Sequence, residues 1–451
     1  MEDTVLIKLS IIYLAIVSMC MLPAQSNDAV FPFPVHQSVL DNGLTVISIP
    51  FDSPGIIAYY TVVRTGSRNE VEEGLSGFAH FFEHMMFRGT EQYSAEEYNE
   101  VLKRLGADHN AFTTDDWTGY HIVASADALE EVVKIESDRF MNLKYSVEDF
   151  KTEAGAILGE YNMNAANPLR QMFERIREMA FTEHTYGHTT LGYLEDIKDM
   201  PNQFDYSLTF FDRYYRPEYC TIIVAGDVQH DRLTQLAQKY YSGWEPGTWT
   251  VDIPEEPPQT EEKRSHMTWG SATLPHLMIG YRVPEFDETN IDLPALNIIG
   301  QLLFARNAPL FQKLVVDEQL VDFVSGGYTD RRDPYLFTIM SRIKNIDNMG
   351  RVEQEIYDAI EDLKNNQIAP ARLDEIKSFL RYSFAMSLNT ASSVARTVSQ
   401  FIQLTGDFNT VNKLFDLYDS VTPEDVQRVA RKYFTPATRS VVTLAQEEIQ
   451  Q

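Results

Sequence analysis

Apolar and polar positions recur with clear periods along most of the chain. Leu44-Thr45-Val46-Ile47-Ser48-Ile49 follows Ser38-Val39-Leu40 across Asp41-Asn42-Gly43, which predicts a hairpin with a type I′ turn. Ile56 to Val63, Asn110 to Thr114 and Tyr120 to Ser125 predict further strands. Between them the period becomes helical. Ser76 is placed to cap one helix, Ser94 and Glu97 form a capping box at the start of another, and residues 127–140 and 147–165 predict two more. Strands and then helices, with antiparallel hairpins, predict an α+β layered fold.

The pattern breaks between Gly243 and Ser265. That stretch carries Pro246, Pro254, Pro257, Pro258 and the glutamates 255, 256, 261 and 262, without a sustained apolar period. It is read as a linker, 243–265, between an N-terminal domain (27–242) and a C-terminal domain (266–451). The two parts share a weak repeat. Tyr214-Tyr215-Arg216-Pro217 before Cys220-Thr221-Ile222-Ile223-Val224 parallels Tyr433-Phe434-Thr435-Pro436 before Arg439-Ser440-Val441-Val442-Thr443. In the second part, Val352, Ile356, Ile360 and Leu363 form an apolar stripe that reads as core.

Composition narrows the classes. A chain of 451 residues suits two or more domains, and 44% hydrophobic residues can fill their cores. A formal charge of −28 argues against a nucleic-acid-binding surface. Lys8, the apolar run Ile11 to Val17 and Ala24-Gln25-Ser26 read as a signal peptide over residues 1–26, so the expected location is the periplasm, with no stable membrane span after cleavage. A membrane anchor is the rival reading, although residues 9–23 are short for a span. Met19 before Cys20 does not fit lipidation. Removal of the segment leaves one cysteine, Cys220, in an apolar strand pattern that suits a buried thiol.

The chemistry-bearing run is His80-Phe81-Phe82-Glu83-His84, an H-x-x-E-H pattern. On a helix, His80 and His84 project from one face a turn apart and can grip one metal ion. Glu83 lies near that face, where it can take a proton from an activated water. Catalytic zinc usually has three protein ligands. Downstream, Glu153 and Glu160 are two helical turns apart beside Phe150, Ala154, Ile157 and Leu158, which brings both carboxylates near buried surface.

These residues, with Gly66-Ser67-Arg68-Asn69-Glu70 and the run Gly77 to Thr90, resemble the pitrilysin/insulinase-type zinc metallopeptidases, or inverzincins, a family that includes the mitochondrial processing peptidase. The resemblance implies two homologous α/β-layer domains and one Zn²⁺ per chain. It implies His80, His84 and Glu160 as metal ligands, Glu83 as the catalytic base and Glu153 as a supporting carboxylate. A structural acid on the same helix is the plainer reading of Glu153. The resemblance also implies that Asn110 and Ala111, within His109-Asn110-Ala111-Phe112-Thr113, lie on an edge strand that pairs with the substrate backbone. His184-Thr185-Tyr186-Gly187-His188 and Gly192 to Asp196 match family loops.

One departure bears on partners. Single-chain relatives carry an arginine and a tyrosine in the second half that bind the substrate carbonyl, and those positions fall here on Val315 and Asp322. Neither is a suitable donor, although Arg331, Arg332 and Tyr335 lie nearby. The chain therefore resembles the zinc subunit of heterodimeric members, whose zinc-less partner supplies the Arg-Tyr pair. The expected activity is zinc-dependent endopeptidase action on peptides or unfolded polypeptides. Alternatives are a non-catalytic assembly subunit and a peptide-binding module of the same fold.

Overall fold

Two groups of strands with alternating side chains build two sheets. The first contains β1 (His36–Val39), β2 (Thr45–Pro50), β3 (Ile56–Val63), β4 (Asp108–Thr113), β5 (Thr118–Ser125) and β6 (Cys220–Gly226), in the order β1-β2-β6-β3-β5-β4. The second contains β7 (Lys263–Thr268), β8 (His276–Val283), β9 (Val321–Gly327), β10 (Tyr335–Ile343) and β11 (Arg439–Ala445), in the order β7-β11-β8-β10-β9. Without β1 the two sheets repeat strand for strand. The parallel pair β2–β6 matches β7–β11, and every other neighbouring pair is antiparallel. The repeat seen in the sequence is one piece of this match, a helix end leading through a proline turn into the strand next to the parallel edge.

This computed structural model describes residues 29–446, so the expected signal segment lies outside the described residues. In the first half, eight helices are α1 (Phe78–Met85), α2 (Ala95–Arg104), α3 (Leu129–Asn142), α4 (Val147–Ala165), α5 (Pro168–Ala180), α6 (Leu194–Asp199), α7 (Phe204–Tyr214) and α8 (His230–Tyr241). Val46, Tyr59, Ile122 and Val224 on one face of the first sheet share a core with α1, α3, α4, α7 and α8. Strand alternation sends Ile47, Tyr60, Val62 and Ile223 to the other face. That face is covered by the helix Ala391–Thr405 from the second half, through Val394, Val398 and Ile402.

The second sheet is covered reciprocally. Leu277, Ile279, Phe337 and Val441 face the second half's own helices, while Met278, Leu336, Val442 and Leu444 pack on Met172 and Ile176 of α5 from the first half. A repeat in which each half covers the other's sheet has the self-complementary character of a two-fold interface. No helix among the described residues is long and apolar enough to cross a membrane.

Most local signals act as their chemistry dictates. The helix over 147–165 forms with those bounds, Ser94 and Glu97 make their capping box, and the Val352 stripe and the Cys220 thiol are buried. Three expectations differ. The turn at residues 40–43 is not type I′, because Asn42 keeps a negative φ and only Gly43 is left-handed, at 91°. The Asn42 amide instead donates to the Tyr241 and Trp244 carbonyls at 2.9 and 3.0 Å, so tertiary bonds override the dipeptide signal. Ser76 does not cap α1; Gly77 occupies the cap position and the Ser76 hydroxyl donates to Asp196 at 2.6 Å. The expected linker 243–265 has no helix or strand up to residue 262, but its last three residues belong to β7, where Lys263 to Ser265 pair with Ser440 to Val442 of β11.

Candidate metal centre and active site

The centre is built on a short helix. At eight residues, α1 is too short to be stable alone, so its neighbours fix its position. It starts at Gly77 with φ 93°, where a Cβ would lie 2.6 Å from the Leu191 carbonyl oxygen, so only glycine fits. His80 and His84 project from one face with ring centroids 4.8 Å apart. The helix α4 packs across them and places Glu160 Oε2 3.7 Å from the Nε2 atom of each histidine. One ligand atom from each residue lies within 4.8 Å of the others, the one such group of three among the described residues.

Two imidazole nitrogens and a carboxylate oxygen, gathered this closely, suit a zinc ion. The hydrogen bonding of His84 fits as well. His84 Nδ1–H donates to Glu153 Oε1 at 2.8 Å, which fixes the tautomer and leaves Nε2 as the ligand atom. Arg88 donates to the other Glu153 oxygen at 2.5 Å. Burial works against a charge on Glu153, but hydrogen bonds from His84 and Arg88 hold its carboxyl below the usual range. The bond to Glu153 in turn raises the His84 pKa. His80 is enclosed, and burial, with the neighbouring His84, lowers its pKa to about 3. It is therefore neutral, as a ligand must be.

Glu83 faces the sheet edge. Thr113 at the end of β4 donates its hydroxyl to Glu83 Oε2 at 2.7 Å. Burial pushes the Glu83 pKa up, opposed by that hydrogen bond. β4 pairs with β5 on one side only and forms the free edge of the first sheet. Asn110 and Ala111 lie on it, opposite His121 and Tyr120 of β5. The Ala111 N–H donates to the Asn110 side chain at 2.9 Å instead of into the sheet, so it is directed off the free edge. The structure thus brings His80, His84, Glu160, Glu83 and Glu153 together, with the β4 edge alongside.

The remaining positions have other partners. Val315 packs against the second half's core, and Asp322 accepts from Arg342 at 2.8 Å. Arg331 bonds Asp115 at 2.9 Å, and Tyr335 is wedged between the rings of Phe181 and Tyr186. His184 and His188 are buried: the first donates to Asp333 at 3.0 Å and the second bonds the Thr189 carbonyl at 2.9 Å. Three contributors escaped sequence reasoning. Arg88 and Thr113 stand in the runs already noted, but nothing local marks them as partners of Glu153 and Glu83. Glu70 is the third, and it binds the start of α1.

A zinc-suited ligand set beside an acid and a free strand edge defines a metallopeptidase-like centre. Two family models match, "Insulinase (Peptidase family M16)" over residues 57–193 and "Peptidase M16 inactive domain" over 204–380. The chain belongs to peptidase family M16. It is 27% identical to the zinc protease PqqE of Helicobacter pylori, over 91% of this chain and 93% of that one. It is 25% identical to a probable mitochondrial-processing peptidase subunit beta of Schizosaccharomyces pombe, with 87% of each chain covered. The crystal structure of a protease from Helicobacter pylori superposes with a TM-score of 0.85 at 26% identity, covering 92% of this chain and all of that one. The "inactive domain" model falls largely on the half that lacks the H-x-x-E-H run.

Proposed function

We propose that the chain is a zinc-dependent metalloendopeptidase that hydrolyses peptides or unfolded polypeptides. The observation that carries this reading is the His80–His84–Glu160 cluster with Glu83 on the same helix and the β4 edge beside it. His80, His84 and Glu160 would hold one zinc ion, with Glu153 orienting His84. Bound there, zinc supplies a Lewis acid that polarises a carbonyl and lowers the pKa of water towards about 7. Glu83 takes the proton of the attacking water and passes it to the leaving amine nitrogen. An extended substrate would add to the β4 edge at Asn110 and Ala111 by backbone pairing.

The same reading makes the chain an exported protein, acting as the zinc subunit of a heterodimer. The export part rests on the N-terminal apolar segment. The partner part is supported by Val315 and Asp322 in the expected donor positions, and by the commitment of Arg331 and Tyr335 to the seam between the halves. Metal analysis and peptide cleavage test the whole. The protein should carry about one zinc and lose it in His80→Ala. Glu83→Gln should keep the zinc and lose at least about a hundredfold in rate. Cleavage should rise when a zinc-less partner bearing an Arg-Tyr pair is added. Unchanged hydrolysis by Glu83→Gln would remove it as the base, and full activity of a verified monomer would remove the heterodimer.

A further inference from the structure

The two histidines are held in place differently. The His84 ring is fixed by its own hydrogen bond to Glu153. His80 has no such bond: its Nδ1 is buried without a hydrogen-bond partner. The aim of the His80 ring therefore depends on where the backbone of α1 begins. His80 directly follows Ala79, in the first turn, where backbone N–H groups have no partner inside the helix.

Glu70 supplies the missing acceptors. It is 4% exposed, and its two carboxylate oxygens accept from Ala79 N–H at 2.6 Å and Gly77 N–H at 2.7 Å. Gly77 has no side chain with which to cap the helix, so this borrowed carboxylate does the work of a capping residue. Burial raises the Glu70 pKa to about 8, opposed by these two N–H groups. Beside it, in the segment between α5 and α6, His188 Nδ1 stands 3.8 Å from Glu70, and Ser76 is tied to Asp196 of α6 and to the Tyr193 N–H.

We infer that Glu70 is a positioning residue of the metal centre, which sets the place of His80 through the backbone of α1 as Glu153 sets His84 through its ring. The inference rests on the zinc reading above. Removal of Glu70 leaves two buried N–H groups without acceptors and frees the first turn to shift, and His80 moves with it. Glu70→Gln retains one acceptor oxygen and gives a partial effect. The nearest comparison is a supporting carboxylate of a metal ligand, whose loss costs about 10–100-fold in metal affinity.

The test is equilibrium titration of metal-free protein with zinc against a chromophoric chelator, together with the visible absorption spectrum of the cobalt-loaded protein. Glu70→Ala should weaken zinc binding by about 10–100-fold and Glu70→Gln by less, with altered cobalt bands in both. Glu353→Gln is the control, since Glu353 is a buried, hydrogen-bonded acid in the second half, bonded to Arg264 at 2.7 Å and to Tyr357 at 2.5 Å, and should leave both readouts unchanged. If Glu70→Ala does not fold, Glu70→Gln carries the test. Parent-like affinity and spectrum in folded Glu70→Gln would overturn the inference. Failure of the parent protein to bind zinc or cobalt would overturn the zinc reading itself.

Discussion

Asp115 ties the two halves together beside the candidate active site, and Asp115→Asn measures that tie. Its side chain is 4% exposed, with Oδ1 accepting from Arg177 at 2.7 Å and Oδ2 from Arg331 at 2.9 Å. Burial opposes the charge, but the two guanidinium groups hold the carboxyl well below the usual range. An amide at this position meets two buried cations with one acceptor oxygen and no charge. Breaking a buried ion pair by removing one partner costs about 3–5 kcal/mol. Arg331 is 20% exposed and recovers some hydration, so the lower end, about 3 kcal/mol, applies. With a guanidinium slope of about 2–6 kcal/mol per molar, the unfolding midpoint should fall by roughly 0.5–1.5 M. The assay is guanidinium unfolding followed by tryptophan fluorescence and circular dichroism, read for separate transitions of the halves. A loss below about 1 kcal/mol would place the cluster among weak surface pairs and refute the reasoning.

Acid should loosen the same seam. Asp115 and Asp333 both have depressed folded pKa values, the second through hydrogen bonds from His184 and Arg68 that outweigh burial. Their contribution is therefore complete above the unfolded carboxylate value of about 3.9 and is lost as pH falls through the folded values; a stability profile flat from pH 5 down to 2 would contradict this. At the metal centre, Glu153→Gln should lower zinc affinity by about 10–100-fold, because the amide provides a weaker acceptor for His84 Nδ1–H and no charge for Arg88. Competitive chelator titration reads this directly, and an unchanged affinity would return Glu153 to a purely structural role.

The local part of this molecule was legible in the sequence, and the long-range part was not. The one-turn spacing of His80 and His84 follows from helix geometry alone, so the cluster could be read without a fold. The helix carrying Glu153 and Glu160 showed its own period and cap. Their distance from the histidines in the chain meant that only the family resemblance joined the two helices. Glu70 reaches α1 from a turn that precedes it, through backbone N–H groups, and no spacing rule marks such a bond. Arg331 meets Asp115 across 216 residues, and no pattern in either segment announces it. Amphipathic helices such as α5 and Ala391–Thr405 reveal that they have an apolar face, but not that the face belongs on the other half's sheet. The Asn-Gly signal failed for a related reason: the Asn42 side chain is worth more to the Tyr241–Trp244 helix end than the preferred turn is worth to the hairpin.

The reciprocal covering explains why a half without the H-x-x-E-H run accompanies the one that carries it. The first sheet has two apolar faces, and only one is covered by its own helices. The second is completed by Ala391–Thr405, so Ile47, Tyr60, Val62 and Ile223 of a first half standing alone would face water. Burying side chains of this size is worth about 1.5–3 kcal/mol each, comparable in sum to the whole stability of a domain. The second half also reaches the site directly. Its 328–334 loop brings Arg331 to Asp115 and the Arg332 N–H to Asp116, in the turn that joins β4 to β5. Thr113, two residues before Asp115, bonds Glu83. The half without the H-x-x-E-H run thus braces, from outside, the turn next to the strand edge and the acid, a task that needs its fold and its 328–334 loop but no metal ligand of its own.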